Sequence, residues 1–507
     1  MNFDINHPRY SMPGFYLSQV FVAVLGLLIP VLLLRYQGVG FLAVVAFFNA
    51  LQAWFQLIDF GLGSALSRAF AMCNQPIQYS RQELSVRRGE RLLLAAGFLL
   101  AIFSAWPLVV IYPEWLGDHS DNRFFMGDTL LVMLLALLSR NQLEFYRAIL
   151  VGCRQLGWLA CVVLGMTLLR VALLLLLIYL NRLSLPVFFG VVVAFNLVEA
   201  IWSRGRIFGL FRRSLPYVQD AGDMAPLPWK FSLSMALASL LWIVFSQSDK
   251  LYLSRALSTH DFAQFSVATM LAGGIFIIMG PVQNIVASRL SAVYSVDQED
   301  RLTATYRQAT HWICLLIFPI CAMFTFRARE ILWLWTGEND LATHAASILV
   351  GYSLGNGLIA VSGLVFYLQF ALGRLRWHIL GAVLFLLVLL PSMKIGVKLL
   401  GFDGAGIVWF LINLLYFVVW LPWVHRRLLR YSYFSWLSND VLPTVLVAFL
   451  ICFVFSCLEI PVPRVAAAVQ LSSEYLICLI LTALMTRDGR ALASRAWCSF
   501  MKIFEKA

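Results

Sequence analysis

Four polar side chains interrupt one long apolar stretch: Asn49, Gln52, Gln56 and Asp59. On a helix turning about 100° per residue, these positions fall within an arc of roughly 80°. Such a stripe has two physical readings. It lines a wet cavity and offers amide and carboxylate partners to a ligand, or it forms a hydrogen-bonded seam with a neighbouring helix. Charged residues raise the same question. Arg170 interrupts the run Leu168-Leu169-Arg170-Val171-Ala172-Leu173, and Glu199 lies in the next apolar stretch. At a rise of about 1.5 Å per residue, they sit roughly 15 and 18 Å in from the outer ends of their helices. An unpaired charge at that depth is costly, so an Arg170–Glu199 pair is expected, either pinning two helices or belonging to a conduit. The run Ser246-Gln247-Ser248-Asp249-Lys250 sets opposite charges side by side near a helix end. There Lys250 either snorkels to the headgroups or lines a charged surface with Asp249. Arg140, Glu144 and Arg147 have the i, i+4, i+7 spacing of an ion-pair ladder.

Several enzyme classes are argued down by missing motifs. The sequence contains no G-x-x-x-x-G-K-[ST], no G-x-S-x-G and no H-E-x-x-H. The nine cysteines are scattered, with no C-x-x-C pair and no histidine cluster at ligand spacing, so neither a disulfide framework nor a metal or other cofactor is indicated. The acidic cluster Asp297-Gln298-Glu299-Asp300 reads as a solvated loop or helix cap. His311 and His378 read as interface residues at helix ends.

The elements that must position these residues are membrane spans. Of the 507 residues 61% are hydrophobic and 13% charged, whereas a soluble domain carries about 25% charged residues. In lipid the backbone must satisfy its own hydrogen bonds, so runs of about 20 apolar residues must be helices. The expected spans are 15–34, 41–60, 92–112, 126–146, 155–180, 187–203, 231–255, 262–288, 310–327, 345–370, 377–399, 405–424, 441–459 and 466–486. The fold class expected is therefore an all-α integral membrane protein with about 14 transmembrane helices. The first run is too long for a cleaved signal and reads as a retained helix.

The net charge of +12 could point to nucleic acid, but the basic residues sit in short loops between apolar runs. Arg81, Arg87, Arg88 and Arg91 fill one loop; Arg204, Arg206, Arg212 and Arg213 another; Arg426, Arg427 and Arg430 a third; and Arg487, Arg490, Arg495 and Lys502 the tail. These lie on one side, which the positive-inside rule makes cytoplasmic, along with both termini. The Arg- and Pro-rich stretch 204–230 reads as a linker between an N-terminal lobe at 1–203 and a C-terminal lobe at 231–430, with an extra helix pair and tail at 431–507. A faint echo between Phe41–Arg68 and Phe262–Arg289, each expected as one long helix ending in Ser-Arg, fits two parallel repeats. Pro30, Pro281, Pro319, Pro391 and Pro422 lie in expected helices, and Gly351, Gly355 and Gly357 permit close packing or a break.

Several short stretches resemble bacterial polysaccharide flippases, the Wzx-type members of the multidrug/oligosaccharidyl-lipid/polysaccharide exporter superfamily. They are Gly38-Val39-Gly40-Phe41, Asp59-Phe60-Gly61-Leu62-Gly63 with Ser67-Arg68-Ala69, Gln247-Ser248-Asp249-Lys250-Leu251, Phe265-Ser266-Val267-Ala268, Gly280-Pro281, and Ile331-Leu332-Trp333-Leu334-Trp335-Thr336-Gly337. The resemblance implies two six-helix lobes around a central cavity, plus the C-terminal pair, in the bacterial inner membrane. It implies a transporter rather than an enzyme. Its substrate would be an undecaprenyl-pyrophosphate-linked oligosaccharide, turned from the cytoplasmic to the periplasmic leaflet by alternating access. Membrane lipids, a polysaccharide polymerase and chain-length machinery would be its partners. The family pattern carries over residue by residue only to Asp59, Arg68, Asp249 and Lys250. A pyrophosphate needs Arg or Lys, a role Lys250 would fill, and a glycan suits the Asn49–Asp59 stripe, with Arg170 and Glu199 completing the set of cavity candidates. The alternative within the superfamily is a drug/cation antiporter, which would need deep carboxylates such as Glu199. A lipid II flippase would carry arginines and an aspartate in its first helix, yet Phe15–Leu34 has no charge.

Overall fold

In the computed structural model, the described residues are 8–55, 62–71, 83, 85–99, 123–213, 229–294, 299–372, 374–429, 431–461 and 463–486. Every regular element among them is helical, so the expected all-α membrane class holds. The helices are α1 (Pro8–Gln37), α2 (Val39–Phe55), α3 (Leu62–Ala71), α4 (85–99), α5 (Arg123–Gly152), α6 (Leu156–Tyr179), α7 (Leu185–Arg213), α8 (Trp229–Ala256), α9 (Thr259–Tyr294) and α10 (Glu299–Phe326). They continue as α11 (Ala328–Thr336), α12 (Asn339–His344), α13 (Ala346–Ala371), α14 (Arg376–Leu400), α15 (Gly404–Leu415), α16 (Leu421–Leu428), α17 (Tyr433–Trp436), α18 (Leu442–Ser456) and α19 (Arg464–Met485). Among the described residues, eight segments are long and apolar enough to cross a membrane. One of them, Arg376–Leu428, holds two expected spans, which part at Gly401, where φ is +63°. A side chain there would be strained. Helices α1, α2, α5 and α8 coincide with four further expected spans.

Burial separates the roles of the spans. In the most apolar window of α6, 22% of the residues are buried, against 67% in α13. The leucines and isoleucines exposed along α6, α7, α14, α18 and α19 form apolar faces of the kind a membrane covers. This is a multi-pass membrane protein.

The chain falls into two compact units, Met1–Ala263 and Gln264–Ala507. In the first, α5 lies along α7 and against α3, α1 packs on α6, and α2 on α8. Leu66, Phe70, Leu143, Phe145, Ile149 and Phe211 are among the residues of its core. Gly152 lets α5 close onto α3, since a Cβ there would strike the Ser67 backbone. The expected continuous helix from Phe41 to Arg68 is described as α2 and α3, with 56–61 between them outside the described residues.

In the second unit, α13 is the central element, flanked by α10 and α15. Gly351 faces the Gly406 backbone, Gly355 faces Trp409, and Gly357 faces Cys321. Because α13 runs unbroken through all three, these glycines serve close packing and not a break. The C-terminal pair α18–α19 packs on α10. The proposed linker 204–230 is described only to Arg213 and from Trp229.

Candidate functional site

Several charged residues of the first unit form a network. Arg140 Nη2 lies 2.7 Å from Glu144 Oε1, and Arg147 Nη1 is 3.1 Å from the same oxygen. Arg147 Nη2 then crosses to α7 and meets Glu199 Oε1 at 2.6 Å, with side chains 17% and 5% exposed. So the expected ladder exists but turns inward. The expected Arg170–Glu199 pair is replaced: Arg147 takes Glu199, because α5 and α7 run side by side. Arg170, on α6, lies close enough to Arg140, Arg147 and Glu199 to feel all three charges. It forms no salt bridge among the described residues. Among the described residues, three guanidinium groups therefore stand near two carboxylates, one more positive than negative charge. Arg140 Nε, which is buried, also finds no hydrogen-bond partner among the described residues. Alongside, Asn196 Nδ2 donates to Ser139 Oγ at 3.1 Å. Such a set can neutralise an anion by charge-assisted hydrogen bonds.

Nearer the arginine-bearing end of α7, Arg204 pairs with the buried Glu90 at 3.1 Å, and Tyr146 Oη donates to the same carboxylate at 3.0 Å. This second network was not anticipated from the sequence, because Glu90 stands among arginines in what reads as a loop.

The other sequence candidates are scattered over α2, α3 and α8. Asn49 is exposed and Gln52 half-buried on α2, and neither has a partner among the described residues. Gln56 and Asp59 lie outside the described residues, as does the Arg68 side chain, although its backbone belongs to α3. On α8, Asp249 is buried, while Lys250 is half-buried and donates from Nζ to Gln247 Oε1 at 3.2 Å.

The second unit carries two charged locks that sequence reasoning missed. Arg307 grips Asp440 with both Nε and Nη2, at 2.9 and 2.7 Å, and His311 Nε2 lies 3.5 Å from Asp440, which makes this histidine the interface residue expected. Asp440 lies in a π-helical turn at Leu437–Val441. Arg327 donates to both carboxylate oxygens of Glu474, at 3.1 and 3.2 Å, and to the Phe455 and Leu458 carbonyls at the end of α18. A carboxylate inside the apolar run 466–486 was the signal for that lock; its partner was not legible. No group of His, Cys, Asp or Glu that could hold a metal occurs among the described residues.

The fold is similar to that of solved transporters. The lipid II flippase MurJ, in an inward closed conformation, superposes with a TM-score of 0.68 at 15% identity, covering 94% of this chain and 99% of the other. This is the fold of the MurJ flippase and the MATE transporters. An inward-facing multidrug resistance MATE family transporter of the MOP superfamily gives a TM-score of 0.61 at 16% identity, over 82% of this chain and 94% of that one. A MOP superfamily transporter from Pyrococcus furiosus gives 0.56 at 15% identity, over 84% and 97%. The sequence profile of the family described as "Polysaccharide biosynthesis protein" matches residues 220–342. No curated protein sequence matches. The polysaccharide profile and the transporter fold together support the resemblance to a polysaccharide-flippase-type member of this superfamily.

Proposed function

We propose that this protein turns an undecaprenyl-pyrophosphate-linked oligosaccharide from the cytoplasmic to the periplasmic leaflet by alternating access, in the assembly of a surface polysaccharide. In this reading it sits in the bacterial inner membrane with both termini cytoplasmic, and its two six-helix lobes and C-terminal pair follow the division expected from the sequence. A polymerase and chain-length proteins would receive the product.

The observation that carries the proposal is that Arg170, beside the Arg147–Glu199 pair, has no salt-bridge partner among the described residues. An extra guanidinium in a span is costly unless it meets a counter-charge, and a pyrophosphate supplies one only while substrate is bound. The exposed Asn49 and half-buried Gln52, free of protein partners among the described residues, suit the hydroxyls of a glycan. An antiporter would need a deep carboxylate open to a cation, and Glu199 is held by Arg147.

Substitution of Arg170 tests the proposal. A charged hydrogen bond to the pyrophosphate is worth about 1.5–3 kcal/mol, so Arg170→Leu should slow transport by roughly tenfold or more, and Arg170→Lys by less. Thermal stability should hold or rise in Arg170→Leu, because a charge with no salt-bridge partner among the described residues has left the bilayer. Lipid-linked oligosaccharide should accumulate in the cytoplasmic leaflet, measured per molecule of inserted protein. Normal transport by Arg170→Leu would count against the proposed site, and normal surface polymer in a strain lacking this and any second flippase would count against the substrate.

A further inference from the structure

A second feature of the first unit lies apart from the Arg140–Glu199 network and shares no residue with it. Between α6 and α7, at their arginine-bearing ends, is an open groove of about 610 Å³ lined by Trp158, Val198, Ile201, Trp202, Gly205 and Arg206. Ligand sites of about 300–1,000 Å³ are typical. The two indoles meet edge to face, with ring centroids 6.0 Å apart and planes at 86°. The Arg206 guanidinium carbon lies 5.9 Å from the Trp158 ring centroid. Its Nη2 donates to Gln155 Oε1 at 2.9 Å, while its buried Nε has no acceptor among the described residues. Val198, Ile201 and Trp202 are exposed.

We propose that this groove binds one anionic phospholipid. The phosphate is held by Arg206, the glycerol region lies against Trp158 and Trp202, and an acyl chain follows Val198 and Ile201 along α7. Charge and polarity select this occupant. Indoles favour the interface between headgroup and hydrocarbon, where one end of the ring is apolar and the other wet. A guanidinium using only part of its donor fork has room for a phosphate oxygen. Gly205 has nothing within 4 Å of the place a side chain would take, so the groove stays open beside Arg206. The apolar side chains below it suit a lipid chain and offer nothing to a free ion. A zwitterionic lipid would bring a second, positive group against Arg206 and should bind less well.

Native mass spectrometry of the full-length protein tests this. The protein is washed in detergent and titrated with phosphatidylglycerol or phosphatidylcholine of the same chains. The wild type should retain one phosphatidylglycerol, with a preference of roughly tenfold over phosphatidylcholine. Arg206→Ala should abolish the preference, and Arg206→Lys should keep part of it. Trp202→Ala should weaken both lipids together. Gln155→Ala removes the same internal hydrogen bond as Arg206→Ala but frees the guanidinium, so its preference should persist or increase. That contrast separates lost binding from lost folding. Equal retention of phosphatidylglycerol by wild type and Arg206→Ala would overturn the proposal. So would equal retention of the two lipids by the wild type, or displacement of phosphatidylglycerol by millimolar inorganic phosphate.

Discussion

Replacing Glu474 by leucine should loosen the C-terminal helix pair from the second unit. Arg327 and Glu474 are both 4% exposed, and the pair is joined by hydrogen bonds of 3.1 and 3.2 Å. Leucine fills similar volume but leaves the guanidinium with the Phe455 and Leu458 carbonyls, the more exposed Glu330 at 3.7 Å, and no buried counter-charge. Breaking a buried pair from one side costs about 3–5 kcal/mol. The two carbonyls and Glu330 remain as partial compensation, so about 3 kcal/mol is the expected loss. Replacing both residues, Arg327→Met with Glu474→Leu, removes the stranded charge and should recover most of that loss, because an apolar pair of similar size is often neutral or better. The assay is a double-mutant cycle on denaturant unfolding in mixed micelles, with tryptophan fluorescence as the probe. A single Glu474→Leu variant within about 0.5 kcal/mol of the wild type would refute the reasoning, since surface changes alone produce differences of that size. A double variant no better than the single one would show that the ion pair itself, and not the cost of a stranded guanidinium, accounts for the loss.

Two further outcomes follow from packing and charge. Gly351→Leu should abolish stable insertion, read as loss of the monodisperse peak in size-exclusion chromatography, because even its Cβ would overlap the Gly406 backbone; the same change at Gly274, which has open space within 4 Å, should be tolerated. Reporter fusions after Arg213 and after Arg430 should read cytoplasmic, and a fusion after Asp340 periplasmic; a periplasmic C-terminus would require an odd number of spans.

Much of the architecture was legible from one dimension of information. Apolar runs of membrane-spanning length leave the backbone no option but helix, so α6, α13, α14 and α19 fall close to the expected limits, whereas α7 continues past the expected end at 203 to Arg213. Gly401-Phe402-Asp403-Gly404 marked the break between α14 and α15 because glycine alone adopts its +63° φ without strain. The cost of an embedded charge likewise announced that Glu199 must have a partner.

Which partner it has was a question only the tertiary structure decided. Arg170 and Arg147 were both available by type, and a depth count along each helix favoured Arg170. The choice fell to Arg147 because α5, not α6, presents its guanidinium to the buried face of α7. Helix rotation and neighbour identity come from the packing of many side chains between segments distant in sequence, and no local pattern encodes them. The same holds for Arg327 with Glu474 and Arg307 with Asp440, separated by 147 and 133 residues. The sequence by itself determined that these charges had to be neutralised, because lipid does not solvate them. The fold decided which were neutralised within the protein and left Arg170 without a salt-bridge partner among the described residues.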